Sequence, residues 1–367
     1  MKTVRAAFAP CTIAASARLW LMGFGLLILC SANQAAAIGI ELQPQGQIGA
    51  DLRKGGEVGR IRIAQQYGLA YLPLMIMRQL ALIEKHASAA GLGNVQVHWT
   101  LYPSGEAMNQ AIRLGFLDIA SGGVVPLIRL WDQSRGGANV KGMAALASMP
   151  LYLNTRRLKV RTVADFTDAD RIALPAVKTS IQAVILQMAA AQSFGAQNYN
   201  RLDRLTVSMP HPQARDALIA GSGGITAHFT SPPYQNEELA DRQIHRVLSS
   251  YDVLGGVATF TVMWTRSDFH ELNPRTCQVV YSALKEAIDI LTKDKTHAAE
   301  IFLQQAASPY TVDFITKIIG QPDVEYTNVP TNVLKYARFL HQTGGIQLAP
   351  AKWTELFFPE VYDEEGS

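Results

Sequence analysis

The chain has 367 residues, of which 48% are hydrophobic and 17% are charged, with 33 basic and 30 acidic side chains. These values are ordinary for a globular protein and exclude a disordered or low-complexity chain. Three basic residues and no acidic ones fall in the first 37 residues, so the remainder is formally neutral. Because no basic run occurs either, we predict no nucleic-acid partner.

The first 37 residues have the pattern of a secretory signal peptide. Lys2, Arg5 and Arg18 precede a short apolar run at 19–29, and three small residues end at Ala37. That arrangement favours export with cleavage near Ala37. The alternative, a membrane anchor, needs roughly 20 apolar residues, and this run has only about half that number. A lipidated Cys30 is a further alternative. A polar, flexible tail is expected at 38–59.

Strands and helices alternate in two rounds after that tail. The first round predicts strands at 60–64, 95–100 and 116–120, helices at 73–86, 104–114 and 124–132, and an extended segment at 141–153. The second round predicts strands at 171–175, 205–208, 225–229 and 246–248, and helices at 180–194 and 212–220. A β-rich run at 256–266 follows, and helices dominate from Asn273 to the end.

This double rhythm predicts an α/β protein with two lobes. The chain would cross between them near Leu151 and again near Gly256. We therefore expect lobe 1 to comprise 60–150 plus 256–367 and lobe 2 to comprise 151–255. Two lobes joined by two strands can close around a ligand by hinge motion.

Polar turns follow several of the predicted strands. In an α/β sheet, such turns at the carboxyl ends of parallel strands form a ligand crevice. The sequence contains no metalloprotease helix, serine nucleophile elbow, phosphate-binding Walker loop or paired-cysteine metal site. We therefore predict a protein that binds a small molecule without transforming it, with no catalytic residues, metal or cofactor.

Five segments together resemble a known family. They are 61–67, 73–86, 111–123, 171–180 and 228–234, in this order and spacing. The chain resembles the solute-binding proteins of ABC importers for nitrate, taurine and alkanesulfonates. The resemblance implies a two-lobed periplasmic binding protein type II (Venus-flytrap) fold with a helical C-terminal region. It also implies a periplasmic monomer whose partners are a small-molecule ligand, an ABC permease and its ATPase.

The resemblance also implies a ligand site between the lobes. Its residues would come from the loop after the first strand, the loop after Ile119, a helix start and the turn at 228–231. In this chain those positions are Gln65, Gln66, Tyr67, Ser121, Gly122, Gly123, Lys178, Thr179, Ser180, His228, Phe229, Thr230 and Ser231.

Several of these residues have a second interpretation. A helix N-terminus such as that after Thr179 and Ser180 attracts anions, but either residue can simply cap the helix. Gly122-Gly123 fits a tight turn or a close approach to a ligand. Tyr67 fits stacking on a ligand or the edge of the core.

His228 is also open to two interpretations. It can be a structural hydrogen-bonding group, or it can bind an anion and make the affinity depend on pH. Near it, Gly224 and Ile225 replace a Val-Asp pair common in the family, so the ligand is specified only as a small polar, anionic organic solute. His211 is grouped with the scattered histidines, and Glu237-Glu238 is predicted to be a solvated face.

Two other functions remain open. One is an enzyme on the same fold, such as a cysteine-rich iron-dependent pyrimidine synthase or a cytoplasmic chorismate-dehydrating enzyme. The single cysteine after the signal, Cys277, and the signal itself argue against these. The other is an accessory protein that senses a solute, which the sequence does not separate from a transport component.

Overall fold

A computed structural model describes residues 56–306 and 310–367. The predicted signal peptide at 1–37, and the tail up to residue 55, lie outside these residues. Within the described part of the chain, no helix has both the length and the apolar content needed to cross a membrane.

Ten strands and thirteen α-helices are described, each numbered in chain order. The strands are β1 (Arg60–Gln65), β2 (Gln96–Leu101), β3 (Ile119–Gly123), β4 (Lys141–Ser148), β5 (Tyr152–Thr155), β6 (Ile172–Leu174), β7 (Thr206–Ser208), β8 (Ala227–Phe229), β9 (His245–Ser249) and β10 (Thr259–Thr265). The helices are α1 (Leu72–Gln79), α2 (Leu82–Ala89), α3 (Gly105–Arg113), α4 (Val124–Gln133), α5 (Ile181–Phe194), α6 (His211–Ala220), α7 (Tyr234–Glu238), α8 (Ser250–Leu254), α9 (Ser267–Leu272), α10 (Pro274–Lys293), α11 (Lys295–Ala306), α12 (Val312–Ile319) and α13 (Val333–Gln342).

The strands form two five-stranded sheets. The first has the order β2-β1-β3-β10-β4, and the second has the order β7-β6-β8-β5-β9. In the first sheet β1 runs parallel to β2 and β3, and β10 returns antiparallel between β3 and β4. In the second sheet β6 runs parallel to β7 and β8, while β5 is antiparallel to β8 and β9. The two-lobed α/β fold is confirmed.

The chain passes from the first sheet to the second between β4 and β5, and returns between β9 and β10. We call the part built on the first sheet the first lobe and the part built on the second sheet the second lobe. The predicted residue bounds of the lobes remain a proposal. The helices after β10 form the expected helical C-terminal region.

The helix predicted at 73–86 is two helices, α1 and α2. Ala81 adopts a left-handed conformation, with φ of 47°, and breaks the helix there. Both pieces pack against the long helix α10. The break lets each piece follow α10 with its own apolar face, a constraint that hydrophobic spacing alone does not reveal.

The third strand begins three residues later than predicted. Asp118 instead accepts hydrogen bonds from the Arg62 backbone N–H at 2.8 Å and from the Arg62 guanidinium at 2.6 and 3.0 Å. Phe116, predicted to lie in the strand, is 40% exposed. Strand β3 therefore extends to Gly123, and this shift places part of the predicted site inside a sheet.

A candidate ligand site between the two lobes

The carboxyl ends of the parallel strands in the second lobe lead directly into helix starts. Strand β6 leads to α5, β7 leads to α6, and β8 leads through Thr230 and Ser231 to α7. In the first lobe, β1 and β3 end at Gln65 and Gly123. The fold rule for α/β sheets places a ligand crevice at these ends.

The loop after β1 touches the turn after β8 across the two lobes. The Leu69 backbone N–H donates to the Pro232 carbonyl oxygen at 3.0 Å. A Cβ on Gly68 would lie 3.0 Å from that oxygen and 3.5 Å from the Ser231 Oγ. Gly68 also has φ of 112°, a backbone conformation that favours glycine. Glycine at position 68 therefore allows the two lobes to meet here.

A second contact joins the end of β3 to the start of α5. A Cβ on Gly123 would lie 3.0 Å from the Ile181 Cγ2. Nearby, the Arg129 guanidinium donates to the Lys178 carbonyl oxygen at 3.2 Å. The group that approaches Gly123 closely is Ile181 of the other lobe, and contact of this glycine with a ligand stays a prediction.

Ser121 and Gly122 lie within β3, not in a loop after it, because β10 pairs with β3 as far as Gly123. Ser121 is fully buried, and its hydroxyl donates to the Ala64 carbonyl at 2.5 Å. A Cβ on Gly122 would lie 2.7 Å from the Gln66 Nε2, so Gln66 packs over this glycine. Gln65 is the last residue of β1 and is buried.

At the start of α5, Ser180 caps the helix. Its Oγ accepts a hydrogen bond from the Ala183 backbone N–H at 3.2 Å. Capping is thus the role that the geometry gives to Ser180, while Lys178 is exposed and Thr179 is partly exposed. Lys178 has φ of 64°, which turns its carbonyl oxygen toward Arg129.

His228 and Phe229 lie in strand β8 and have no exposed surface. The turn that faces the first lobe begins after them, because β8 pairs with β5 as far as Phe229. The His228 Nδ1 lies 2.5 Å from the Glu238 Oε1, and its Nε2 lies 2.8 Å from the His211 Nδ1. With both ring nitrogens bonded, His228 acts as a structural hydrogen-bonding group in this conformation. A direct contact with a ligand would require one of these bonds to break.

The prediction that Glu237-Glu238 is a solvated face is wrong for Glu238. Its side chain is fully buried, and its second oxygen accepts from the Asn154 Nδ2 at 2.9 Å. Burial raises the pKa of Glu238 to about 8 and lowers the pKa of His228 to about 3. Both shifts favour an uncharged pair that shares one proton between the carboxyl and the ring.

Sequence reasoning missed His211 as a residue of this region. It is the first residue of α6, it is only 7% exposed, and its ring stacks on Tyr234 at 5.7 Å. Burial and the neighbouring His228 hold the pKa of His211 well below its usual range. Its position just after strand β7 could have indicated it, because the other site residues were predicted from their positions at the carboxyl ends of strands.

A third contact between the lobes involves Tyr310, Glu237 and Arg215. The Tyr310 hydroxyl donates to the Glu237 carboxylate, and the Arg215 Nη1 donates to Glu237 at 2.5 Å and to the Tyr310 oxygen at 3.0 Å. Tyr310 belongs to the first lobe, and the other two residues belong to α6 and α7. These hydrogen bonds link the two lobes.

Two other features concern a metal site and a surface groove. Over residues 56–306 and 310–367, no group of three or more His, Cys, Asp or Glu side chains could hold a metal ion. An open surface groove of about 470 Å³ lies on the first lobe, away from the predicted residues. It is lined by residues of α2 and α10, including His86, Ala89, Arg275 and Gln278.

Comparison with solved structures gives the fold. The alkanesulfonate-binding protein SsuA from Xanthomonas axonopodis pv. citri, bound to MOPS, is 19% identical. It has a TM-score of 0.61, over 80% of this chain and 95% of its own. The nitrate-binding protein NrtA from Synechocystis PCC 6803 is 15% identical, with a TM-score of 0.62 over 82% and 84%. The Candida albicans CA3427 gene product, described as having the generic periplasmic binding protein fold, is 15% identical, with a TM-score of 0.59 over 81% and 93%.

No family model and no curated protein sequence matches this chain. At these sequence identities, the structural similarity establishes the periplasmic binding protein fold. It does not identify the ligand.

Proposed function

We propose that this chain is the substrate-binding component of an ABC importer, and that it captures a small polar, anionic organic solute between its lobes. The observation that carries the proposal is the meeting of the strand ends: Gly68 faces Ser231, and Gly123 faces Ile181. Closure at these points would enclose a solute held by the intervening loops. The similar structures include alkanesulfonate- and nitrate-binding proteins, which supports an anionic solute.

The remaining features of the proposal follow from that role. The chain would be exported with cleavage near Ala37, act as a monomer in the periplasm, and deliver its solute to a permease and its ATPase. It would bind without catalysis. An iron-dependent enzyme on this fold would need accessible cysteines, and Cys277 is buried.

The proposed ligand contacts are the predicted residues that lie at the gap. They come from the loop after β1, the end of β3, the start of α5 and the turn after β8: Gln66, Tyr67, Gly122, Gly123, Lys178, Thr179, Ser180, Thr230 and Ser231. Gln65, Ser121, His228 and Phe229 would shape the site from behind, because they are buried within strands.

Isothermal titration calorimetry with ethanesulfonate and nitrate tests the proposal. We expect binding of at least one probe, with affinity reduced about tenfold by Thr179→Ala combined with Ser180→Ala. Because losing a helix cap costs about 1 kcal/mol by itself, Thr162→Ala serves as a control. Thr162 caps a short helical turn on the exposed surface of the second lobe. Unchanged affinity in the double variant would remove this helix start from the site.

A further inference from the structure

We propose that Glu238 is a positioning residue for the candidate site. Through His228 and His211 it would set whether Gln182 donates or accepts a hydrogen bond at the edge of the second lobe. The inference rests on the proposed function only for its effect on ligand affinity. The change in hydrogen-bond direction needs no ligand and can be measured in the ligand-free protein.

The four side chains form one continuous hydrogen-bonded line. The Gln182 Nε2 lies 3.3 Å from the His211 Nε2, the His211 Nδ1 lies 2.8 Å from the His228 Nε2, and the His228 Nδ1 lies 2.5 Å from the Glu238 Oε1. Asn154 donates to the other Glu238 oxygen at 2.9 Å. None of the five side chains is more than 7% exposed. A line so buried exchanges protons only through its own members or its ends.

Proton counting allows this line two directions. A neutral histidine has one N–H donor and one bare nitrogen, and a glutamine amide offers a donor on one side and an acceptor on the other. With Glu238 ionised, Gln182 donates to His211, His211 donates to His228, and His228 donates to the carboxylate. Every contact is then satisfied.

One added proton reverses the line. It enters at the His211 Nε2, the His211 Nδ1 proton passes to the His228 Nε2, and the His228 Nδ1 proton passes to the Glu238 Oε1. Both rings stay neutral, and the carboxyl becomes an acid that donates back to His228. The His211 Nε2–H now faces Gln182, so the Gln182 amide must rotate to present its oxygen. Asn154 continues to donate to the second carboxyl oxygen in both states.

Burial and the surrounding charges place the reversal near pH 8. Desolvation favours the acid form and raises the pKa of Glu238 to about 8. Arg215 on α6 opposes this, but it is paired with Glu237 and Asp216. The titratable or charged groups around the line from α6, α7 and the first lobe are Arg215, Asp216, Tyr234, Glu237, Tyr310 and Tyr67.

The Gln182 end of the line is next in sequence to a residue that contacts the first lobe. Gln182 is the second residue of α5, next to Ile181, which meets Gly123 of the first lobe. When the Gln182 oxygen accepts from His211, its NH₂ group faces away from the ring, and we infer that an anion in the site would accept a hydrogen bond from it. An anion prefers that donor, so anion binding should favour the protonated line and weaken above pH 8.

Nitrogen NMR of the histidine rings in the ligand-free full chain tests the switch. Below pH 8 we expect the Nε2–H tautomer for both His211 and His228, and above it the Nδ1–H tautomer for both. Glu238→Gln should hold the Nε2–H form at every pH, because the new amide donates to His228. The control Glu286→Gln alters a partly exposed glutamate of the first lobe that is bonded to His86 at 2.7 Å, and it should change neither ring. Tautomers that stay constant in the wild-type chain, or that still switch together in Glu238→Gln, would overturn the proposal. Should that variant not fold, the wild-type titration decides alone.

Calorimetry with ethanesulfonate, whose charge is constant over this range, tests the consequence. We expect affinity at pH 6.5 to exceed affinity at pH 9 by about fivefold, with the difference lost in Glu238→Gln. Equal affinity at the two pH values would overturn the inference and leave the proposed function standing. Absence of binding of both ethanesulfonate and nitrate at every pH would count against the proposed function, while the NMR experiment would still decide on the switch.

Discussion

The Leu69 backbone N–H donates to the Pro232 carbonyl oxygen at 3.0 Å, and this bond joins the first lobe to the second. It links the loop after β1 to the turn after β8, two segments separated by more than 160 residues. Separation of the two segments would break this bond. The residues around this bond are therefore the natural place to test whether closure controls binding.

Gly68→Ala should weaken solute binding by about tenfold. The new Cβ would lie 3.0 Å from the Pro232 oxygen, in a backbone conformation that costs roughly 1–3 kcal/mol for other residues. Gly195→Ala provides the matched control, because Gly195 has φ of 91° and open space around its Cβ position. Calorimetry should show similar thermal destabilisation in both variants and an affinity loss only in Gly68→Ala. Equal affinity losses would mean that strain, and not contact between lobes, is responsible.

Gly123→Ala should lower affinity by several-fold without backbone strain. Gly123 has φ of −60°, which any residue adopts, but its new Cβ would press on the Ile181 Cγ2 at 3.0 Å. Ile181→Ala in the same chain removes the Cγ2 contact but keeps the Cβ, which would lie 3.2 Å from the new Cβ, so it should restore part of the affinity. A double-mutant cycle measures the coupling, and additive losses would show that the two residues do not meet in the ligand-bound state.

Tyr310→Phe should speed solute release while leaving the fold intact. The substitution removes the hydroxyl that donates to Glu237, and hydrogen bonds to charged groups contribute about 1.5–3 kcal/mol. Stopped-flow measurement of dissociation should show about a tenfold faster rate. Tyr362→Phe is the control, since the Tyr362 hydroxyl bonds only to carbonyl oxygens of the first lobe, at Thr354 and Phe357. A Tyr310→Phe rate equal to that of the control would exclude a role in holding the lobes together.

Stability should be greatest near pH 6.5. Burial raises the pKa of Glu238 from 4.5 to about 8, so the folded chain keeps a proton that the unfolded chain has lost, and stability falls from pH 6.5 to 8. Below pH 6.5 the unfolded chain protonates its histidines first, because the pKa values of His211 and His228 are lowered in the fold. Below pH 6.5 the extra proton on His228 in the unfolded chain offsets the extra proton on Glu238 in the folded chain. The extra proton on His211 in the unfolded chain is not offset, so stability falls as the pH is lowered.

Urea unfolding across this pH range measures the effect. Glu238→Gln should remove the decline on the alkaline side, which is about 2 kcal/mol for the wild-type chain between pH 6.5 and 8. A wild-type stability that is flat over that interval would contradict the assignment of a proton to the buried carboxyl.

The fold was predictable from the sequence because the spacing of apolar residues within a short segment indicates a strand or a helix. The alternation that predicted β6 to β9 depends on neighbouring residues only, and the cap at Ser180 is likewise local. The extent of β3 was not predictable, because it is set by pairing with β10, some 140 residues away. Pattern indicates which residues are apolar, and it does not reveal which distant strand will extend a sheet.

The buried line was missed for the same reason. Glu238 lies in a polar stretch, and its burial depends on Asn154, 84 residues earlier, and on His228. In the sequence, a polar residue that is buried by partners distant along the chain cannot be distinguished from a solvent-exposed one. His211 could have been selected by its place after β7, whereas its partner His228 was selected without any indication that both its ring nitrogens are occupied.

Native mass spectrometry of the full chain, offered ethanesulfonate, nitrate and small carboxylates at millimolar concentration, tests the central claim most directly. The account predicts one small anion retained per chain, unchanged in mass on release, and lower occupancy in Gly68→Ala than in Gly195→Ala. A wild-type chain that retains none of these anions, or that releases a chemically altered product, would contradict a role in capturing an anionic solute between the lobes.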